Sequence, residues 1–448
     1  MADGLAPQPR ALAMLAVMIG VSMASLDTAI ANTALPALAA QLRTTAAASV
    51  WIVNIYQLAM VATLLPFAAL GEIVGYRRVF VAGLALFTAA SLACALAWSL
   101  PSLVVARFVQ GLGASAIMAV TTALMRAIYP AHLQGRGFGT NALVVALAFA
   151  LGPTLTSVIL AVASWPWLFA VNVPLGVLAW LLARPTLPPT ARATHRYDRV
   201  AALYNAGAFG FLILLLGDAA HGVPAARWLT ELLIAAACFA LLLRHQRHRP
   251  APLLPVDLFR QPLFALAALT AVFTFAVQGL AFVSLPFYFA SVGRTPIETG
   301  FLMTPWPAMV AVMAPIAGRL SERYSSGLLC GIGLTTLCGG MLALMTLPGA
   351  PSALDITWRM GLCGIGFGFF QAPNMKAIMG SAPAARAGSA SGIVASARLT
   401  GQATGAALVA ACLMLGGTSG SAQALIIGAV CAALGAGTSF SRLLVKPG

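Results

Sequence analysis

Charge is what this chain has least of. Of 448 residues only 8% are Asp, Glu, Lys or Arg, and just ten are acidic. A soluble globular protein carries about 25% charged residues, so a water-covered surface is excluded over most of the chain. Lysine is rarest, with Lys376 and Lys446 alone. Neither follows a glycine-rich loop, so the glycines of GLGASA (111–116) and GIGFG (364–368) bind no nucleotide phosphate. Close helix packing accounts for them. The seven cysteines are scattered through apolar segments without a CxxC pair. With five dispersed histidines they give no metal spacing and no catalytic constellation.

What is there instead is hydrocarbon. Hydrophobic residues make up 60% of the chain and the mean hydropathy is +0.94. They fall in blocks of about 18 to 28 residues, each long enough to cross a ~30 Å apolar layer. In lipid only a helix or a closed barrel satisfies its own backbone polar groups, so the blocks are predicted to be membrane-spanning helices. We place fourteen, at 11–34, 46–70, 79–98, 102–128, 137–163, 167–184, 199–217, 226–243, 262–290, 297–317, 327–347, 354–377, 388–415 and 421–440. The first block contains Asp27 and is too long for a cleavable signal peptide.

The net charge of +15 would suit nucleic acid if it were clustered on a soluble face. It is not. Nineteen of the twenty-five Lys and Arg residues fall on one side of the predicted spans, and Arg43, Arg227, Arg294 and Arg359 on the other. Arg107 and Arg398 lie within helices. This asymmetry puts both termini in the cytoplasm, and no nucleic-acid partner is expected. The basic stretches Arg184–Arg199 and Arg244–Arg249 divide the chain into six helices, two and six: an N-terminal bundle (11–185), a linker pair (186–261) and a C-terminal bundle (262–442). An echo supports the division. Leu70/Glu72 and Leu320/Glu322 both end an even-numbered helix, 250 residues apart, with arginines following.

Several motifs carry a family resemblance. They are LDTAIANTALP (26–36), LGEIVGYRR (70–78), Arg107-Phe108-Val109-Gln110-Gly111, Gly152-Pro153, WPWLFAVNVPLG (165–176) and GFGFFQAPNMKAIMGSAP (366–383). In this order and spacing the chain resembles the major facilitator superfamily, in its fourteen-helix drug:proton antiporter branch. It departs from the pattern at Ala68, at Glu72 where aspartate is usual, at Thr156 and Ser157 where glycines are usual, and at Pro166.

The resemblance implies an all-α fold of two six-helix bundles plus two central helices, in the bacterial inner membrane. It implies a proton-coupled exporter of small organic molecules or drugs, acting as a monomer in membrane lipid, with the proton gradient as its energy source and no cofactor. A dedicated metabolite exporter or importer is the alternative, and a membrane-embedded sensor or enzyme the remote one. By the same resemblance Glu72, Arg77, Arg78, Arg319, Glu322 and Arg323 form a cytoplasmic gate, and Gly152 and Pro153 the antiporter motif.

An ionisable group inside a membrane is a functional candidate by default. Asp27 is the only acid well inside a predicted span, and Arg107 is its expected partner. If helix 1 reaches the outer boundary near Pro36 and helix 4 leaves it near Pro101, their depths are ~13 and ~9 Å at 1.5 Å per residue. They could therefore meet. Asn32, Gln57, Asn141, Gln278, Trp306 and Arg398 are candidates to line a central cavity. With one embedded acid and two embedded arginines, neutral, zwitterionic or weakly anionic compounds are expected over dications. Asp355 and Arg359, at i and i+4, are expected to form a local pair.

Overall fold

The computed structural model describes residues 4–190, 192–193, 197–220, 223–247, 256–348, 351–382, 387–416 and 420–445. Among these every regular element is a helix. The first half comprises α1 (Pro7–Gln41), α2 (Ala46–Ser49), α3 (Trp51–Val74), α4 (Tyr76–Ala95), α5 (Leu100–Ile128), α6 (Gln134–Val162), α7 (Trp167–Ala170) and α8 (Asn172–Thr186). A hairpin follows, α9 (Arg199–Ala220) and α10 (Ala225–Gln246). The second half comprises α11 (Pro262–Ser291), α12 (Pro296–Met303), α13 (Pro305–Leu320), α14 (Ser326–Met345), α15 (Ala353–Ser381), α16 (Ala387–Gly416) and α17 (Gly420–Ser441).

Twelve helices or helix pairs are long and apolar enough to cross a membrane. Of the fourteen predicted spans, those at 199–217 and 354–377 are not among them: they correspond to α9, whose described apolar helix Arg199–Leu215 is shorter than the others, and to α15, rich in glycine and carrying Gln371, Asn374 and Lys376.

Local chemistry sets the ends. Ser99 and Thr295 cap α5 and α12 through reciprocal hydrogen bonds with Ser102 and Glu298, satisfying amides that have no helical partner. Gly75, at φ +100°, makes the turn between α3 and α4. Prolines at 36, 66, 153, 286, 315 and 373 lie inside helices. Each frees a carbonyl four residues earlier, which a neighbour can satisfy. Pro66 shows how: the freed Ala62 carbonyl accepts from Asn205 Nδ2 of α9 at 3.0 Å, which docks the hairpin on α3.

The halves meet in two apolar layers. At the end bearing both termini, Leu65 of α3 packs with Phe264 of α11 and with Ala390 and Ile393 of α16. At the opposite end, Leu35 and Leu38 of α1 pack with Leu280 and Val283 of α11 and with Val409 of α16. That far layer explains one correction. Helix 1 does not stop at Pro36 but runs to Gln41, because Leu35 and Leu38 are fully buried against the other half and hold the helix across the proline.

Asp27 is also not the only sequestered acid. Asp218 and Glu231 are each 7% exposed and share Arg227, at 2.7 and 3.5 Å. Helix α9 runs past its predicted end at 217 to Ala220 and packs Gly217 against Trp51. Asp355 and Arg359 pair within α15 at 3.4 Å.

Candidate functional site

Four helices of the first half deliver one polar cluster. Asp27 comes from the middle of α1 and Arg107 from the second turn of α5; they are 1% and 0% exposed and form an ion pair. Gln110 stands three residues along α5 from Arg107, hence on the same face. Its amide nitrogen donates to Asp27 Oδ1 and to Ser91 Oγ of α4, both at 2.9 Å. Its carbonyl accepts from Arg107 Nη1 at 2.7 Å. Asn172, at the start of α8, donates to Asp27 Oδ1 at 3.2 Å. Arg107 Nε donates to the Ile52 carbonyl at 3.1 Å, and the guanidinium lies 4.2 Å from the Tyr56 ring centre.

These helices come this close because α5 has glycine where α3 crosses it. A Cβ on Gly111 would sit 2.6 Å from the Tyr56 carbonyl oxygen. Both Asp27 oxygens are thus held by donors, and the cluster is closed to water.

A narrow cleft lies between the halves beside this cluster. Of the six residues expected to line it, Gln57 and Arg398 do, together with Ser25, Thr28, Phe149 and Gln402. Gln278 is one step removed, accepting from Gln402 Nε2 at 2.8 Å. Asn32 is buried in α1 and Asn141 lies on α6; neither reaches the cavity wall. Trp306 is wholly buried in the second half, its ring 5.5 Å from Phe282 and 6.4 Å from Phe367.

Tyr56 joins cluster and cavity. Its ring supports Arg107, and its hydroxyl donates at 3.2 Å to the carbonyl of Ala24, a cavity-wall residue.

At the far end the halves are locked through α6. Gly152 faces Ala29 of α1 with no room for a side chain. Thr156, replacing a usual glycine, donates back to the Gly152 carbonyl at 2.9 Å. Ser157, replacing the other, donates to Pro296 of the second half at 3.1 Å, and Thr154 pairs with Thr304 at 2.9 Å. Of the two departures from the motif, Ser157 is therefore a cross-half contact here, while Thr156 bonds within the first half.

At the terminus end, Glu72, Arg78, Arg319, Glu322 and Arg323 are exposed. Arg77 donates to the Arg184 carbonyl, and the Glu72 carbonyl accepts from Ala193 at 2.7 Å. The first gate cluster is thus tied to the segment after α8. Arg249, which ends the second basic stretch, and Pro383, which ends the 366–383 motif, lie outside the described residues.

Ser91, Gln110, Asn172 and Gln402 were not singled out as site residues from the sequence, although Gln110 and Asn172 lie within the motifs quoted above. Each is a polar residue in an apolar run, and Gln110 is in register with Arg107, which is the signal that could have found it.

An all-helical bundle of this length, with two halves around a polar cavity, is the architecture of a membrane transporter. Comparison with known proteins agrees. The Major Facilitator Superfamily profile matches residues 17–406. The uncharacterized transporter YebQ of Escherichia coli (strain K12) is 48% identical over 445 residues, covering 99% of this chain and 97% of its own. The multidrug resistance protein Stp of Mycobacterium tuberculosis (strain CDC 1551 / Oshkosh) is 32% identical over 407 residues, covering 90% and 75%. The crystal structure of a POT family transporter in complex with a thioalcohol-conjugated peptide superposes with a TM-score of 0.74 at 16% identity, covering 98% of this chain and 97% of that one. The chain belongs to the Major Facilitator Superfamily and is an integral membrane transporter.

Proposed function

We propose that this protein is a proton-coupled antiporter that exports small organic molecules across the bacterial inner membrane. The observation that carries the proposal is the sealed Asp27–Arg107 pair lying one residue, Tyr56, from the central cavity. A carboxylate that is paired in one conformation and protonated in another links proton affinity to conformation. The name of the relative Stp supports drug-like cargo. The narrow cavity favours a second reading, a dedicated exporter of one metabolite.

Everted membrane vesicles carrying the protein and challenged with a chemically diverse panel test both readings. The antiporter accumulates several unrelated compounds, and an uncoupler abolishes the accumulation. Accumulation of a single compound selects the dedicated exporter, and accumulation that survives the uncoupler contradicts proton coupling.

In this reading the chain has fourteen spans, with α9 and α15 added to the twelve more apolar ones. They are arranged as two six-helix bundles (11–185 and 262–442) around a linker pair (186–261), with both termini cytoplasmic. The terminus end is then the cytoplasmic end, and the structure is closed toward the outside at α6 and α12. The protein works as a monomer, and the exposed acids and arginines at 72–78 and 319–323 bear on the cytoplasmic gate.

Arg247 and Arg43 are both exposed, at opposite ends of the bundle. Cysteine at Arg247 is expected to react with an impermeant maleimide only in everted vesicles, and cysteine at Arg43 only in intact cells. The reverse pattern would invert the topology.

A further inference from the structure

We infer that the cavity selects ligands carrying a single delocalised negative charge next to an apolar ring, with Arg398 as the anchoring group. The inference rests on the reading of this cavity as the substrate site, and it names the class of substrate that the site takes.

Arg398 projects from the middle of α16 into the cavity wall, half-buried, with its Nε buried and without a hydrogen-bond partner. The described cavity wall contains no carboxylate. Asp27, the carboxylate of the neighbouring cluster, is already held by Arg107, Gln110 and Asn172. An arginine in a low-dielectric site without a counter-ion is costly, and a bound anion would offset that cost. A guanidinium also matches a planar, delocalised anion better than a point charge, because its fork donates two parallel hydrogen bonds.

The rest of the wall refines the class. Gln57 Oε1 is buried without a donor. Gln402 commits its amide nitrogen to Gln278, so its own carbonyl oxygen is left to accept. These acceptors beside the arginine suit N–H or O–H groups on the same ligand. Phe149, Met60 and Met118 supply an adaptable apolar surface for a ring. A permanent cation would set its charge against Arg398 with no acid to answer it.

Binding to the purified full-length protein in detergent, without any proton gradient, tests this. Three probes share one naphthalene ring and differ in the charge of a small substituent: 2-naphthoate, 2-naphthamide and 2-naphthylmethylammonium. Calorimetric titration is expected to rank naphthoate first, at least about tenfold tighter than the ammonium, which is the effect of one charge-assisted hydrogen-bond pair. Arg398→Gln is expected to weaken naphthoate about tenfold and to leave naphthamide unchanged, while Arg398→Lys loses less.

Gln57→Ala is a second variant, independent of Arg398 in folding. It should weaken naphthamide, whose amide donates a hydrogen bond, more than naphthoate. Ammonium binding as tight as naphthoate, naphthoate binding that ignores Arg398→Gln, or no saturable naphthoate binding would each overturn the inference. Transport coupling is not measured here. Failure of the proton-driven assay would leave the charge ranking standing, and the reverse also holds.

Discussion

Asp27→Asn is expected to abolish uphill transport while leaving substrate binding within a few-fold of normal. Asn keeps the volume of Asp27 and can still face Gln110 and Asn172, so only the titratable charge is lost. One proton moved through 100 mV supplies ~2.3 kcal/mol, enough to hold an about fifty-fold gradient of a neutral substrate. In the variant that ratio should fall to about one. The complication is Arg107, whose charge would be left buried and unpaired at a cost of about 3–5 kcal/mol. The double variant Asp27→Asn/Arg107→Gln removes both charges, and it should recover thermal stability without recovering uphill transport. Recovery of transport in either variant would move proton carriage elsewhere. Asp218 and Glu231, buried around Arg227, would be next in line.

Gly300→Leu is expected to eliminate net transport by a different route, preventing closure of the far end. Gly300 of α12 lies against the Pro153 carbonyl group and the Ser157 hydroxyl of α6, and an added Cβ would come to 3.0 Å from the Pro153 carbonyl carbon alone. Backbone cannot yield as a flexible side chain can, and a packed interface has two arrangements rather than a continuum. The variant should therefore stay with α6 and α12 apart. Cysteine at Thr154, engaged with Thr304 here, should react with external maleimide several-fold faster in the Gly300→Leu background than in its absence. Because the cavity wall is untouched, naphthoate should still bind. Unchanged reactivity together with normal transport would show that this contact does not close the pathway.

How much of this was legible in the sequence follows from what hydropathy reports. It marks where a chain can be in lipid, so fourteen apolar runs were read as spans, and twelve of them correspond to helices long and apolar enough to cross a membrane. It is weak for α15, whose glycines and Gln371, Asn374 and Lys376 lower the average although the helix is continuous. Helix 1 was cut short at Pro36 because proline is a stop signal in water, whereas here burial of Leu35 and Leu38 between the halves overrides it. The meeting of Asp27 with Arg107 was expected from depths counted from Pro36 and Pro101, and the two do pair although α1 runs on to Gln41. What could not be estimated was rotation about each helix axis. For that reason the sequence did not show that Ser25, Thr28 and Gln402 line the cleft beside Gln57 and Arg398. The acids at 218 and 231 were not singled out for a related reason, since their approach to Arg227 depends on how α9 and α10 face each other.

Proton movement itself is the most direct measurement of the central claim. The purified protein, reconstituted into liposomes containing a pH-sensitive dye, is given an outward substrate gradient with no initial pH difference. The account predicts that substrate leaving through the wild type acidifies the lumen at a fixed proton-to-substrate ratio, and that Asp27→Asn shows no acidification. Substrate efflux through the wild type with no change in lumenal pH, or equal acidification in the Asp27→Asn variant, would contradict it.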